Sequence, residues 1–270
     1  MLIKCAGKWI LTDPVFFDVI GVRILGIPMG LRRNTPPALP FDALPKPDLV
    51  LLSHAHIDHA DLPTLEALTR HYPHELTLVT AKNTTDVMEC MNWGNILELD
   101  WNQDHTFDGV NIRALPVIHN GGRMPFDRDR ANGYKKTGRS YNAYRIAGGG
   151  MSAVFGGDTA YTPAFKHLAE EGGVDVAMMP IGAYRHYEHL HCTPEQSLQM
   201  ADEMEARYFV PMHCMTFRQS EEPPAEPLER LQAAAPNAHT QIAFTHIGHT
   251  LTLFGDSATE QARMPLAANE

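Results

Sequence analysis

The stretch Ser53-His54-Ala55-His56-Ile57-Asp58-His59-Ala60-Asp61 sets the tightest limit on what this chain can become. It reads H-x-H-x-D-H and follows directly on the apolar run Asp48-Leu49-Val50-Leu51-Leu52. That run has the length and the bounds of a buried parallel strand. Three imidazoles and a carboxylate crowded onto a strand end cost folding energy unless something binds them. Zinc, or a similar divalent ion, suits imidazole and carboxylate donors. In an extended segment residues two apart share a face, so His54 and His56 can reach one ion. Asp58 and His59 lie beyond the bend and point to a second position about 3.5–4 Å away, the usual separation of paired ions. The competing reading is a solvated, His-rich turn. It gives no reason for four ligand-type side chains at this spacing behind a strand.

The rest of the chain is that of an ordinary enzyme. Its 270 residues, 44% apolar and 20% charged, are enough for one well-buried domain. No low-complexity linker divides it, so the expectation is a single domain over residues 1–255, with 256–270 a frayed tail. A formal charge of −10 argues against a nucleic-acid groove or a polybasic membrane anchor, and bound divalent cations would offset part of it. No apolar run is long enough to span a bilayer, and the start of the chain lacks a signal-peptide apolar region and cleavage site. Cys5, Cys90, Cys192 and Cys214 show no C-x-x-C spacing, so they read as buried thiols in a reducing compartment, the cytoplasm.

Apolar periodicity and turn residues predict strands over residues 1–4, 8–11, 48–52, 76–81, 110–118, 141–146, 152–155, 174–179, 208–212, 241–245 and 250–254. Helices are predicted over 62–72, from an Asn83-Thr84 cap to Met91, and over 163–171, 193–206 and 226–234. Residues 20–46, rich in Pro, Gly and Leu, read as a long loop, as does 120–136; loops of that length are uncommon unless they cover a site. Asp13-Pro14 reads equally as a turn and as an acid that orients a histidine. Four separate strand ends then carry ligand-type residues: the motif itself, His119, Asp158 and His213. A lone histidine after a strand is more often a core or surface residue. The recurrence is informative because the strand ends of an α/β layer meet on one edge. Asp158 follows two glycines, which suits a carboxylate bridging two ions at close backbone approach.

The pattern resembles the metallo-β-lactamase superfamily over nearly the whole chain. The marks are Thr12-Asp13-Pro14, His54-Ala55-His56-Ile57-Asp58-His59, Pro116-Val117-Ile118-His119, Gly157-Asp158-Thr159 and Pro211-Met212-His213. The resemblance implies a four-layer αββα sandwich. It implies His54, His56 and His119 around a first metal, Asp58, His59 and His213 around a second, and Asp158 bridging. Members usually begin with an extra strand and a Gly-His pair ahead of residues 1–15, so it also implies a missing first strand or a late start. The second half is most similar to the N-acylphosphatidylethanolamine-hydrolysing phospholipase D group. The similar segments are Gly157-Asp158-Thr159-Ala160-Tyr161, Pro180-Ile181-Gly182-Ala183-Tyr184, His191-Cys192-Thr193-Pro194-Glu195 and His213-Cys214-Met215-Thr216-Phe217. In that group the histidine matching His191 lies near the metals, which implies an outer or substrate-contacting role for it.

The implied activity is a dinuclear hydrolase with two zinc ions, manganese being the alternative. A shared hydroxide would attack a small-molecule or lipid phosphodiester, with Asp58, Asp158 and His191 as its catalytic residues. The competing hydrolase reading is a lactone or carboxylic-ester substrate on the same metals. Readings from other classes are a diiron redox protein, against which His56 and His59 argue, and a non-catalytic metal-binding module. The apolar segment 19–31 suits lipid contact and an active-site lid equally. No basic amphipathic helix is present to dock the chain on a bilayer, and self-association is left open.

Overall fold

In a computed structural model, residues 1–25 and 27–253 are described. The strands are β1 (Leu2–Cys5), β2 (Lys8–Thr12), β3 (Val19–Ile24), β4 (Ile27–Arg32), β5 (Leu49–Leu51), β6 (Thr77–Ala81), β7 (Asn95–Leu99), β8 (Asp104–Phe107), β9 (Val110–Leu115), β10 (Ala143–Gly148), β11 (Met151–Phe155), β12 (Val174–Pro180), β13 (Ala206–Met212) and β14 (Gln241–Ile242). The helices are α1 (Leu62–His71), α2 (His167–Glu170), α3 (Pro194–Glu203) and α4 (Glu226–Ala234).

One sheet has the order β1-β2-β5-β6-β7 and the other β14-β13-β12-β11-β10-β9-β8. Strand alternation explains how they stack. In β5 the side chains of Leu49 and Leu51 face one way, into a core shared with Val110, Ile112, Tyr144, Phe155 and Met178 of the other sheet. Val50 and Leu52 face the other way, against Leu65 and Leu68 of α1. A strand buried on both faces must be apolar throughout, which is why residues 49–52 read as a continuous run. The outer face of the seven-stranded sheet packs Phe209 and Ala177 against Leu168, Leu198, Met200 and Leu231, from α2, α3 and α4. The layers therefore run α1, sheet, sheet, α2–α4, and this is the αββα sandwich.

Parallel pairing decides where the site falls. Strands β2, β5 and β6 are mutually parallel, so Asp13 and the motif leave from the same edge. Strands β9 and β11 both run antiparallel to β10, and β11, β12 and β13 are parallel. Their C-terminal ends therefore share one edge of the second sheet. Asp61 caps α1 by accepting from the Thr64 N–H, and Thr193 and Gln196 form a reciprocal capping box on α3.

Several predicted elements differ. Residues 19–24 and 27–32 are not loop but the antiparallel strands β3 and β4, a separate two-stranded sheet. Gly21, Pro28 and Gly30 read as breakers, yet a ribbon with two free edges tolerates them. The helix predicted after Thr84 is a single 3-10 turn, Thr85–Val87. The Thr84 hydroxyl is engaged with Thr80 and Ala81, and the Glu98 carboxylate takes the Thr84 and Thr85 N–H groups instead. The helix from Thr193 stops at Glu203, because Glu205 turns to positive φ and Ala206 already starts β13. Strands β7 and β8 went unpredicted. The strand expected over 241–245 shortens to Gln241–Ile242. Thr250 makes only an isolated bridge and residues 251–253 are irregular. The end of that last expected strand, Phe254, and the tail 256–270 lie outside the described residues.

Candidate metal centre

The motif leaves β5 as a tight turn, with the His59 and Ala60 N–H groups both donating to the His56 carbonyl. This gathers its side chains at the sheet edge. Imidazole nitrogens of His54, His56 and His119 converge. His54 Nε2 lies 2.8 Å from His56 Nδ1, and His119 Nε2 lies 3.3 Å from the same atom. A second group gathers Asp58, His59, Asp158 and His213. His59 Nε2 is 3.1 Å from Asp58 Oδ2 and 3.1 Å from Asp158 Oδ2. His213 Nε2 lies 3.3 Å from Asp58 Oδ2 and 3.4 Å from Asp158 Oδ1. Within each group the donor atoms lie within 4.8 Å of one another.

Asp158 stands between the groups, its Oδ2 also 3.8 Å from His119 Nε2. It is 2% exposed, and its Oδ1 has no hydrogen-bond donor. Gly157, at φ +56, lets the chain reach this point. A Cβ there would lie 2.6 Å from the Ser53 Cβ. His119 comes four residues past β9 and is fixed by the same segment: the Ile118 N–H donates to Thr159 Oγ1 and its carbonyl accepts from the Ala160 N–H.

The outward nitrogens of the imidazoles settle how the inward ones are used. His59 Nδ1 donates to Asp13 Oδ2 at 2.6 Å, and His56 Nε2 to Asn120 Oδ1 at 2.8 Å. His119 Nδ1 donates to the Leu190 carbonyl at 3.1 Å. His54 Nδ1 lies 2.9 Å from Ser53 Oγ, whose own proton is directed at Asp13. His54, His56 and His119 thus turn a bare nitrogen inward, and His59 turns Nε2 toward Asp58 and Asp158. This is how metal-binding histidines are oriented.

Burial pushes His54 well below the ordinary imidazole range, lowers His56, and pushes His119 down to about 3. Three neutral rings aiming lone pairs at one another repel unless a cation lies between them, so this donor set fits a divalent ion. The second group is charged. Burial opposes ionisation of Asp58 and Asp158, yet the neighbouring histidines outweigh it and hold both far below the usual carboxylate range. Burial likewise opposes protonation of His59, and Asp158, Asp58 and Asp13 outweigh it, holding the ring well above its usual value. In the absence of an ion, protons on His59 and His213 compensate these two carboxylates. An ion there would replace them.

His191 joins the edge as well. Its Nδ1 is 3.8 Å from Asp158 Oδ2 and has no hydrogen-bond partner, and its ring stacks on His213 at 5.6 Å between centroids. His119, Asp158 and His191 form a third group of donors within 4.8 Å. His189 is exposed and has no such contacts. All seven residues expected as ligands, and His191, therefore lie together. Asp13 is an orienting acid rather than only a turn former. Sequence reasoning missed Asn120, Ser53 and Gln219, whose side-chain amide donates to Asp58 Oδ2. Asn120 directly follows His119, a local signal of a kind; nothing in the sequence around Gln219 marks it. Burial pushes the Cys214 thiol up to about 12, so it is no nucleophile.

Residues 8–214 match the family described as the beta-lactamase superfamily domain. The chain belongs to that superfamily, one of metal-dependent hydrolases. An uncharacterized protein of Mycobacterium tuberculosis is 32% identical over 253 residues, covering 90% of this chain and 63% of that protein. The mitochondrial N-acyl-phosphatidylethanolamine-hydrolyzing phospholipase D of Saccharomyces cerevisiae is 30% identical over 241 residues, 85% of this chain and 48% of the yeast protein. This chain thus spans about half to two thirds of these relatives. Among solved structures, isothiocyanate hydrolase from Delia radicum gut bacteria superposes with a TM-score of 0.65 at 18% identity, covering 89% of this chain and 90% of its own. That likeness supports the superfamily fold.

Proposed function

We propose that the protein is a dinuclear metal-dependent phosphodiesterase, with zinc as its metal and manganese as the alternative. The observation that carries the reading is the position of Asp158, within reach of His119 on one side and of His59 and His213 on the other. His54, His56 and His119 would hold one ion, Asp58, His59 and His213 the other, and Asp158 both. When bound, such a pair acidifies water toward neutral pH and neutralises charge building on a phosphoryl oxygen. The chain's own side chains do the rest. Asp13, Asn120 and the Leu190 carbonyl hold three rings in register. Gln219 restrains Asp58 by donating to its Oδ2. His191, with a buried unpartnered nitrogen beside Asp158, is placed to contact the scissile group. The phosphodiester class is supported by the similarity to the yeast phospholipase D.

A substrate panel tests the class. The zinc-loaded protein should hydrolyse bis(p-nitrophenyl) phosphate at least about tenfold faster, by kcat/KM, than p-nitrophenyl esters and simple lactones. A preference of that size for a lactone or ester would replace the phosphodiesterase reading with the other hydrolase.

His191 gives a second expected result. Loss of an outer partner typically costs about 10–100-fold in activity or metal affinity. His191→Ala should therefore lower kcat/KM by about that factor with two metals retained, and His189→Ala should do much less. If His191→Ala instead sheds a metal, the residue is a ligand in its own right. Equal and negligible effects from both replacements would show that His191 takes no part.

A further inference from the structure

The thirteen large apolar side chains exposed among the described residues are unevenly spread. All but Met1 and Ile247 fall within residues 17–31, residues 118–134, or at Tyr187. Each of these places is joined to the edge that carries the candidate centre. The β3–β4 hairpin is tied at its base to the loop after His213: the Asn34 N–H donates to the Thr216 carbonyl, and the Thr35 hydroxyl to the Met215 carbonyl. Residues 118–134 begin beside His119, and Arg123 within them donates to the Ala55 and Ala60 carbonyls inside the motif, at 2.8 and 2.9 Å. Tyr187 accepts from the His191 N–H through its carbonyl.

The hairpin is two-faced. Its register sets Ile20 opposite Leu31 and Val22 opposite Met29, and facing pairs share one side of a ribbon. That side is apolar from base to tip. Ile20 is buried, whereas Val22, Met29 and Leu31 are exposed, and Leu25 at the turn is 97% exposed. The other side carries Gly21, Gly30 and the exposed Arg32. In the loop that follows His119, Phe126 is 88% exposed in a segment that also presents Lys135 and Lys136.

Charge follows the same division. The chain carries −10 overall, yet residues 19–35 hold three arginines and no acid. Residues 118–140 hold six basic side chains against Asp127 and Asp129, and of the six Arg130 and Arg139 are paired with Asp100 and Asp86. Arg32, Lys135 and Lys136 have no ion pair among the described residues. A negative molecule thus turns a positive, apolar rim outward around its candidate site. The hairpin's apolar side chains expose on the order of 500 Å², the size of a functional patch. That is short of the roughly 800 Å² each partner of a stable pair buries. Apolar tips flanked by free basic groups match the boundary between lipid headgroups and acyl chains, not a second copy of this chain.

We propose that the site-bearing edge docks on an anionic phospholipid bilayer, with the hairpin tip and residues 124–126 entering the interface. The docking deepens the phosphodiesterase reading, on which its purpose rests, by naming a membrane as the place where the substrate is held. Binding is read without turnover, so the two readings can fail separately. The zinc-loaded full chain is floated with vesicles of phosphatidylcholine alone, and of phosphatidylcholine and phosphatidylglycerol in equal parts. It should float with the mixed vesicles, bind the neutral ones about tenfold or more weakly, and be released by high salt. The double variant Leu25→Asp/Met29→Asp and, separately, Phe126→Ser should each cut binding about tenfold or more, with melting temperature and metal content near those of the parent. Protein that stays in the aqueous phase with both vesicles overturns the proposal, and so do variants that float like the parent. Conversion of a dimer to a monomer by the hairpin variant, seen by light scattering, would show instead that this face joins two copies, and would equally overturn it.

Discussion

Asp158→Ala should lower kcat/KM by several orders of magnitude in a protein that remains folded, and its metal content should fall below two per chain. The physical reason is its position. The Asp158 carboxylate lies within 4 Å of His119 in the first group and of His59 and His213 in the second. Its loss should exceed the roughly 10–100-fold typical of an outer partner. The fold should survive because removing Asp158 leaves less, not more, buried charge to be compensated. Chelation of the parent protein should also abolish turnover. It should lower the melting temperature too, since ions bound only by the folded state add to its stability. Elemental analysis and melting curves on the parent, the chelated form and the variant check these outcomes. An Asp158→Ala protein with two metals and near-normal turnover would exclude the bridging role, and a metal-free parent active at full rate would exclude the metal mechanism altogether.

The second large effect is expected at Gly182, which has no side chain to act in the site. A Cβ at this position would lie 2.2 Å from the His213 carbonyl oxygen, a backbone atom that no rotamer change can move. His213 itself sits at φ +56, a left-handed conformation held by its surroundings at some cost. The ends of β12 and β13 meet here, with the Ile181 N–H donating to the Met212 carbonyl at 3.0 Å. Gly182→Ala must therefore part the two strand ends or turn His213 away from Asp58 and Asp158. Its cost should exceed the ~1–3 kcal/mol of ordinary overpacking. The variant should melt well below the parent and lose the metal held through His213 before the other. Gly122→Ala is the control, because its nearest neighbour would be the Asp127 Cβ at 3.8 Å. A Gly182→Ala protein with parental melting and two metals would show that the crowding at His213 is not real.

Local chemistry explains which parts were legible in the chain. Residues 49–52 announce a strand buried on both faces, and the H-x-H-x-D-H spacing puts its side chains at one strand end, whatever the remainder does. The cap at Thr193 and the Gly157-Asp158 approach are likewise written within a few residues. The hairpin β3–β4 was not legible, because Gly21, Pro28 and Gly30 are turn formers by propensity and strand residues only through cross-strand pairing. The helix expected after Thr84 failed for a similar reason. Its would-be cap and first N–H groups are claimed by Thr80 and by Glu98, the latter from a neighbouring strand. Whole-chain charge is silent on placement: the −10 total does not reveal that nine of the 22 Lys and Arg residues lie in residues 19–35 and 118–140.

By itself the sequence placed seven ligand-type residues at strand ends that share one edge, because that depends on short-range spacing, while its resemblance to the superfamily implied the αββα layering and a place for His191. Only the tertiary structure decided how they are used. It selected the orienting reading of Asp13, forty residues before Ser53, which holds His59; Asn120 holds His56; and Gln219, far along the chain, holds Asp58. Such contacts are made between segments that no local rule brings together, so they become visible only once both sheets are packed. The apolar and basic rim is of the same kind, since residues from three distant stretches share a surface only because the strands they follow end on one edge.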